Sequence, residues 1–183
     1  MYEVVDSTKQ FSGAIFDVVT DRLTMADGAV HPRDVVYKRG AVAIVALDAQ
    51  GNVVLVRQYR HAARQYLWEI PAGLLDVDGE DPAATAVREL AEEADLLADR
   101  IEPLFSLFTS PGFTNETTHV YLAQGLSEVA EPDRHVRHAE EADMQTKTVP
   151  LATAIDMIFS GEITNAVSVA ALLAVTARGS VID

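Results

Sequence analysis

The chain has no cysteine among its 183 residues, which excludes disulfides, thiol catalysis and cysteine-held zinc. It is poor in positive charge: 14 lysines and arginines stand against 28 aspartates and glutamates, a formal net charge of −14. Such a field repels nucleic acid and anionic membrane, which argues against both as partners. Long apolar runs are also missing. The longest, Ala41 to Leu47 and Val169 to Val175, are too short to span a bilayer. The first ten residues carry Glu3 and Asp6 and no apolar stretch, so no signal peptide is expected and a cytoplasmic location is. There is no repeat, low-complexity tract or linker-like segment. What remains is globular, with 49% hydrophobic and 23% charged residues in a length that suits one domain, 1–183.

Residues 12 to 40 read as strands joined by turns, with a turn signal at Ala26-Asp27-Gly28 and a boundary at Pro32. AVAIVAL (41–47), DAQGN (48–52) and VVLVRQY (53–59) read as a β-hairpin. LWEI (67–70) is a short buried strand ended by Pro71 and Gly73. A helix is expected over Ala83–Ala94, with Asp81 as N-cap and Pro82 in the first turn. LFSLF (104–108) and HVYLA (119–123) read as strands, 126–144 as a polar connection, and 151–160 and 166–178 as two closing helices. Strands and helices mix without regular βαβ spacing, which favours an α/β sandwich with a mixed sheet over a doubly wound fold.

The informative segment is Gly73 to Leu96, GLLDVDGEDPAATAVRELAEEADL. At about 100° per residue, Glu89, Glu92 and Glu93 fall on one arc of the helix. Val87, Leu90 and Ala94 fall opposite and are expected to pack against the sheet. Arg88 lies off to one side, which leaves the three carboxylates without a basic partner on their own face. Hard divalent cations such as Mg²⁺ take oxygen ligands, so a metal is one answer to that repulsion; a solvated acidic face is the other. Asp76-Val-Asp78-Gly79 is no EF-hand: its glycine comes too early and no helix precedes it.

The spacing of Gly73, Glu80, Arg88, Glu89, Leu90, Glu92, Glu93 and Leu96 resembles the Nudix box, G-x5-E-x7-R-E-U-x-E-E-x-G-U with U aliphatic. Chance would match six such fixed positions in about one chain of this length in 10⁵. Two departures are visible. Six residues rather than five separate Gly73 from Glu80, which could shift Glu80, and Asp95 stands where the pattern has its late glycine. Asp enters the left-handed region more readily than most residues, so the helix should still end there.

The resemblance implies a Nudix fold, an α/β/α sandwich with a mixed β-sheet and the loop-helix of the box. It implies Mg²⁺ (or Mn²⁺) as cofactor. Glu89 and Glu93 would be the principal metal ligands, with Glu92 and the backbone carbonyl of Ala72 contributing, while Gly73, Glu80 and Arg88 would be structural. Further segments, RDVV (33–36), VRQYRH (56–61), WEIPAGLLD (68–76), SPGFTNE (110–116), HAEEADM (138–144) and GEITNA (161–166), look like the ADP-ribose pyrophosphatase branch. By that likeness the general base is Glu141 or its neighbour Glu140; should neither serve, Glu92 in the box would. Arg33, Arg60, Leu74 and Glu116 would bind substrate, and Phe11 and Phe16 are candidates for sandwiching its adenine. Arginine's forked donors suit a diphosphate.

The activity implied is hydrolysis of ADP-ribose to AMP and ribose 5-phosphate by a homodimer whose strand-rich residues 1–40 pack across subunits. Two alternatives stand beside it. One is a Nudix hydrolase of another nucleoside diphosphate derivative, such as a nucleotide sugar. The other is a non-catalytic Nudix module that senses nucleotide.

Overall fold

The computed structural model describes residues 2–138 and 142–179. Three antiparallel strands, β1 (Glu3–Ser12), β2 (Phe16–Thr24) and β3 (Val30–Lys38), form a sheet of their own. Every residue of β1 is exposed, which is why no burial pattern marks its start in the sequence. The next strands are β4 (Ala41–Ala46), β5 (Asn52–Arg60), β6 (Gln65–Glu69) and β7 (Ala72–Leu74). Helix α1 (Pro82–Ala94) precedes β8 (Leu96–Phe108) and β9 (Thr117–Glu128), and β10 (Gln145–Pro150) leads into α2 (Leu151–Phe159) and α3 (Ala166–Gly179). A four-stranded mixed sheet has the order β7-β4-β9-β8, and a three-stranded one the order β10-β5-β6. The β4–β9 pair is parallel; all the others are antiparallel.

The expected β4–β5 hairpin is not formed. Asp48 and Gly51 close a tight turn, with Gly51 N–H donating to Asp48 C=O at 3.1 Å. Beyond it, among the described residues, the two strands share only the bridge between Leu47 and Val53. Each is a central strand: β4 is flanked by β7 and β9, and β5 by β6 and β10, so their pairing edges are taken. Ala41–Ala46 and Val53–Val56 are continuously apolar because both faces are covered there. Val42, Ile44, Ala46 and Val54 pack with Ala86, Leu90 and Ala94 of α1. Ala43, Val45, Val53 and Leu55 pack on the other side with Ala154, Met157, Ala171 and Leu172 of α2 and α3. Strands thus lie between α1 and the α2–α3 pair, the expected α/β/α arrangement. Each fully buried Leu or Ile here contributes about 1.5–3 kcal/mol.

Helix α1 begins and ends as its sequence dictates. The Asp81 side chain caps it by accepting from Ala83 N–H at 2.8 Å. Asp95 closes it in the left-handed region, φ 55° and ψ 36°. Its buried arc differs from the expected one. Val87 is 41% exposed, while Thr85, Ala86, Leu90, Glu93 and Ala94 are buried. The arc is turned towards Glu93 and away from Val87, which brings one glutamate of the acidic cluster under cover. Among the described residues, no helix is long and apolar enough to cross a membrane.

Candidate active site

Strand β7 and helix α1 meet along the acidic face. Glu93 is 5% exposed, and its Oε2 accepts from Ala72 N–H at 2.8 Å. Next to it, Gly73 makes room for Glu89: a Cβ on Gly73 would lie 2.0 Å from Glu89 Cδ. The backbone of Gly73 does not enter the left-handed region, so glycine serves here for space and not for conformation.

Arg88 is the basic partner that the helical wheel failed to reveal. Its Nη1 reaches Glu89 at 2.8 Å and Glu92 at 3.2 Å, and its Nη2 reaches Glu80 at 3.2 Å and Asp76 at 3.4 Å. Arg88 and Glu92 are four residues apart on the helix, a spacing at which long side chains meet. A wheel of Cα directions does not register how far an arginine can bend. Glu80 also accepts from the buried Thr85 hydroxyl at 2.8 Å, so the extra loop residue leaves it on Arg88. Arg88, with Thr85, holds the Glu80 carboxyl below the usual range.

Glu89 shows the opposite effect. Burial, reinforced by the Glu92 charge, pushes its carboxyl up to about 7 against the pull of Arg88. One guanidinium therefore does not compensate the charge gathered here. Among the described residues, no three His, Asp or Glu side chains converge as a ready-made metal site, and Arg88 and Ala72 N–H engage the glutamates. The donor set nevertheless suits a hard divalent cation. It is all oxygen, and it gathers Glu80, Glu89 and Glu92 around one guanidinium with Glu93 beside them, an excess of negative charge.

Beside β7 opens a cavity of about 390 Å³. Ala72, Gly73, Leu74, Arg60 and Glu116 line it, so five of the sequence-derived candidates share one space. Arg60 forks onto Glu69, Nε to Oε1 at 3.0 Å and Nη2 to Oε2 at 2.6 Å. Glu116 accepts from Thr109 at 2.6 Å and pairs with Lys38 at 2.5 Å. Arg33 does not line the cavity; it is exposed on β3 and donates to Pro32 C=O at 2.7 Å. Phe16, packed on Phe11 with ring centroids 5.9 Å apart, borders a groove that shares Lys38 and Leu74 with the cavity. Glu140 and Glu141 lie outside the described residues.

Sequence reasoning missed Lys38, Glu69 and the first turn of α3, all of which line the cavity. Glu69 left a usable signal, a carboxylate inside an otherwise apolar buried strand. Lys38 left none, since a lysine ending a strand is ordinary.

The NUDIX domain pattern matches residues 37–167, most of the chain. The chain belongs to the Nudix family. It is 47% identical over 176 residues to the ADP-ribose pyrophosphatase of Mycobacterium tuberculosis strain H37Rv, covering 96% of this chain and 84% of that one. It is 35% identical over 156 residues to the ADP-ribose pyrophosphatase of Bacillus subtilis strain 168, covering 85% of this chain and 82% of the relative. A crystal structure described as an ADP compounds hydrolase superposes with a TM-score of 0.84 over 97% of this chain and 93% of its own, at 23% identity, a likeness of fold. Nudix hydrolases generally need a divalent metal ion.

Proposed function

We propose that this Nudix protein hydrolyses the diphosphate of ADP-ribose, giving AMP and ribose 5-phosphate, with Mg²⁺ as cofactor and Mn²⁺ as a substitute. The observation that carries this reading is the seating of Glu89 and Glu93 against a β7 strand cleared by Gly73, at the edge of a cavity large enough for a small ligand. The relatives' shared name supports the choice of substrate. Glu89 and Glu93, with Glu92 and the Ala72 carbonyl, would hold the metal. When bound, a divalent ion supplies Lewis acidity to the diphosphate and lowers the pKa of an attacking water.

The chain's own groups do the rest. Gly73 keeps the Glu89 carboxylate where it is, and Arg88 keeps Glu89, Glu92 and Glu80 in register. Glu141 or Glu140 takes the proton from water. One P–O bond of the bridge breaks, the water oxygen joins one phosphorus, and the bridging oxygen leaves with the other phosphate. Leu74, Arg60 and Glu116 line the substrate side, and the Glu69 carboxylate fixes the plane of Arg60.

The reading also includes a homodimer and a cytoplasmic location. Val4, Val5, Phe11, Phe16 and Val30 leave much apolar surface exposed on the β1–β3 sheet, which supports packing of residues 1–40 across subunits in a single-domain protein. Arg33 on β3 would then serve the neighbouring cavity.

The test is a panel of ADP-ribose, NADH, nucleotide sugars and dinucleoside polyphosphates with purified protein and Mg²⁺ or Mn²⁺. ADP-ribose should give the highest kcat/KM, and chelation of the metal should abolish turnover. Another compound turned over ten times better would overturn the substrate assignment. Sedimentation at micromolar concentration should give the mass of two chains.

A further inference from the structure

The end of β3 and the loop between β8 and β9 are laced together beside the cavity. Val36 N–H donates to Phe113 C=O at 2.7 Å, and Asn115 N–H donates to Val36 C=O at 3.4 Å. Lys38 N–H donates to Asn115 Oδ1 at 2.9 Å. The Lys38 side chain then turns to the next residue of that loop. Its Nζ lies 2.5 Å from Glu116 Oε1, while the Thr109 hydroxyl donates to Glu116 Oε2 at 2.6 Å. Each carboxylate oxygen is thereby held from one side and keeps capacity to accept a further donor.

Among the described residues, four charged side chains line the cavity: Lys38, Arg60, Glu69 and Glu116. They are matched two by two, Arg60 with Glu69 and Lys38 with Glu116. The pairs differ in access. The Glu69 side chain is 2% exposed beneath Arg60, whereas that of Glu116 is 18% exposed. Glu116 is thus the carboxylate of this cavity that a ligand can reach. A carboxylate accepts from hydroxyls and repels phosphates. Without Lys38 the lining would set two carboxylates against one guanidinium, in a chain whose net charge is already −14.

We infer that Lys38 is a positioning residue that sets specificity on the sugar side of the substrate. Its ammonium aims the Glu116 carboxylate at the hydroxyls of the sugar beyond the diphosphate and masks that charge from the phosphates. This rests on the proposed reading, in which ADP-ribose is the substrate and Glu116 lines its site. The groove bordered by Phe16 shares Lys38 and Leu74 with the cavity, so an adenine in the groove leaves the cavity to the second sugar. A lysine that only fastened β3 to the loop would affect stability. A positioning residue affects binding of the sugar product and leaves the nucleotide product and the chemical step alone.

The experiment uses the two products as inhibitors of ADP-ribose hydrolysis by the whole protein with Mg²⁺. Lys38→Met keeps the stem and removes the ammonium. It should raise KM for ADP-ribose and the inhibition constant of ribose 5-phosphate by about 10- to 30-fold, the size expected of a lost charge-assisted contact. Over the same comparison kcat and the inhibition constant of AMP should stay within about threefold. On a Glu116→Gln background, Lys38→Met should cost less than about threefold more in KM, because no charge is left to aim or mask. An unchanged KM in Lys38→Met would overturn the inference. So would an AMP constant that rises as much as that of ribose 5-phosphate, or a full, additive loss in the double variant. If Lys38→Met does not fold, Lys38→Gln is read by the same criteria. If the parent does not hydrolyse ADP-ribose, the substrate reading falls and this inference with it. If it does, and Lys38→Met leaves inhibition by ribose 5-phosphate unchanged, only the inference falls.

Discussion

Replacing Gly73 by alanine separates the chemistry of this site from its stability. An added methyl would sit 2.0 Å from Glu89 Cδ and 2.3 Å from each of its oxygens. Non-bonded carbons rest at about 3.5–4.0 Å, so the carboxylate must retreat by about 1.5 Å or more. Strand β7 cannot move instead, because Ala72, Gly73 and Leu74 are paired with β4 and Ala72 N–H is bonded to Glu93. The Gly73 backbone conformation is one that alanine can adopt, and a glutamate side chain can swing towards solvent, so the folded state should lose no more than about 1 kcal/mol. A displacement of about 1 Å in a catalytic arrangement costs about 100-fold in rate. Gly73→Ala should therefore lower kcat for ADP-ribose by about 100-fold or more, read as AMP released with time, while the urea midpoint barely moves. A rate within threefold of the parent would refute the reasoning. So would a stability loss above about 3 kcal/mol with full activity per folded molecule, which would make Gly73 a folding residue only.

Glu93→Gln keeps the volume and an acceptor for Ala72 N–H but removes a ligand charge; kcat should fall by about 100-fold or more with circular dichroism unchanged, and an unchanged rate would place the metal elsewhere. Arg88→Met strands Glu89 and Glu92 without their shared guanidinium and should cost about 2–3 kcal/mol in urea unfolding. Arg88→Lys should recover little of that, because a point charge cannot fork to four carboxylates, and full recovery would show that charge alone suffices. Burial raises the Glu89 carboxyl from 4.5 to about 7, so between those values the metal-free folded chain holds a proton that the unfolded chain has released. That contribution to stability is complete below about pH 4.5 and is lost as pH rises through 7, so in EDTA the difference in urea midpoint between parent and Glu89→Gln should shift across this window; a constant difference would contradict the assignment.

The ends of α1 were legible because they are local chemistry. Asp81 and Asp95 do at each terminus what their side chains and backbone preferences allow, whatever packs against the helix. Its inward face was less so. A wheel treats the helix as a cylinder, and only the position of β7 decides that Glu93, not Val87, turns under cover. The failed hairpin has a similar cause. Two apolar runs around a tight turn invite mutual pairing, and nothing within 41–59 announces that β6, β7, β9 and β10 will take those edges. Spacing placed Gly73, Glu80, Arg88, Glu89, Glu92 and Glu93 in one neighbourhood but not their contacts, since Arg88 gathers four acids through side-chain reach. The cavity draws Arg60, Leu74 and Glu116 from three separate segments, and likeness to a family brought them together where periodicity could not. Arg33 had only likeness behind it, and within one chain it stands apart from the cavity.

The central claim is that the acidic side of α1 holds divalent metal against a diphosphate. It is tested most directly by a crystal of the protein grown with Mn²⁺ and a non-hydrolysable ADP-ribose analogue, measured for anomalous scattering from manganese. The account predicts anomalous peaks within about 2.2 Å of oxygens of both Glu89 and Glu93, with the analogue's diphosphate bound to the same ions. Manganese bound elsewhere, or a diphosphate seated away from α1 with those glutamates still on Arg88 and Ala72, would contradict it.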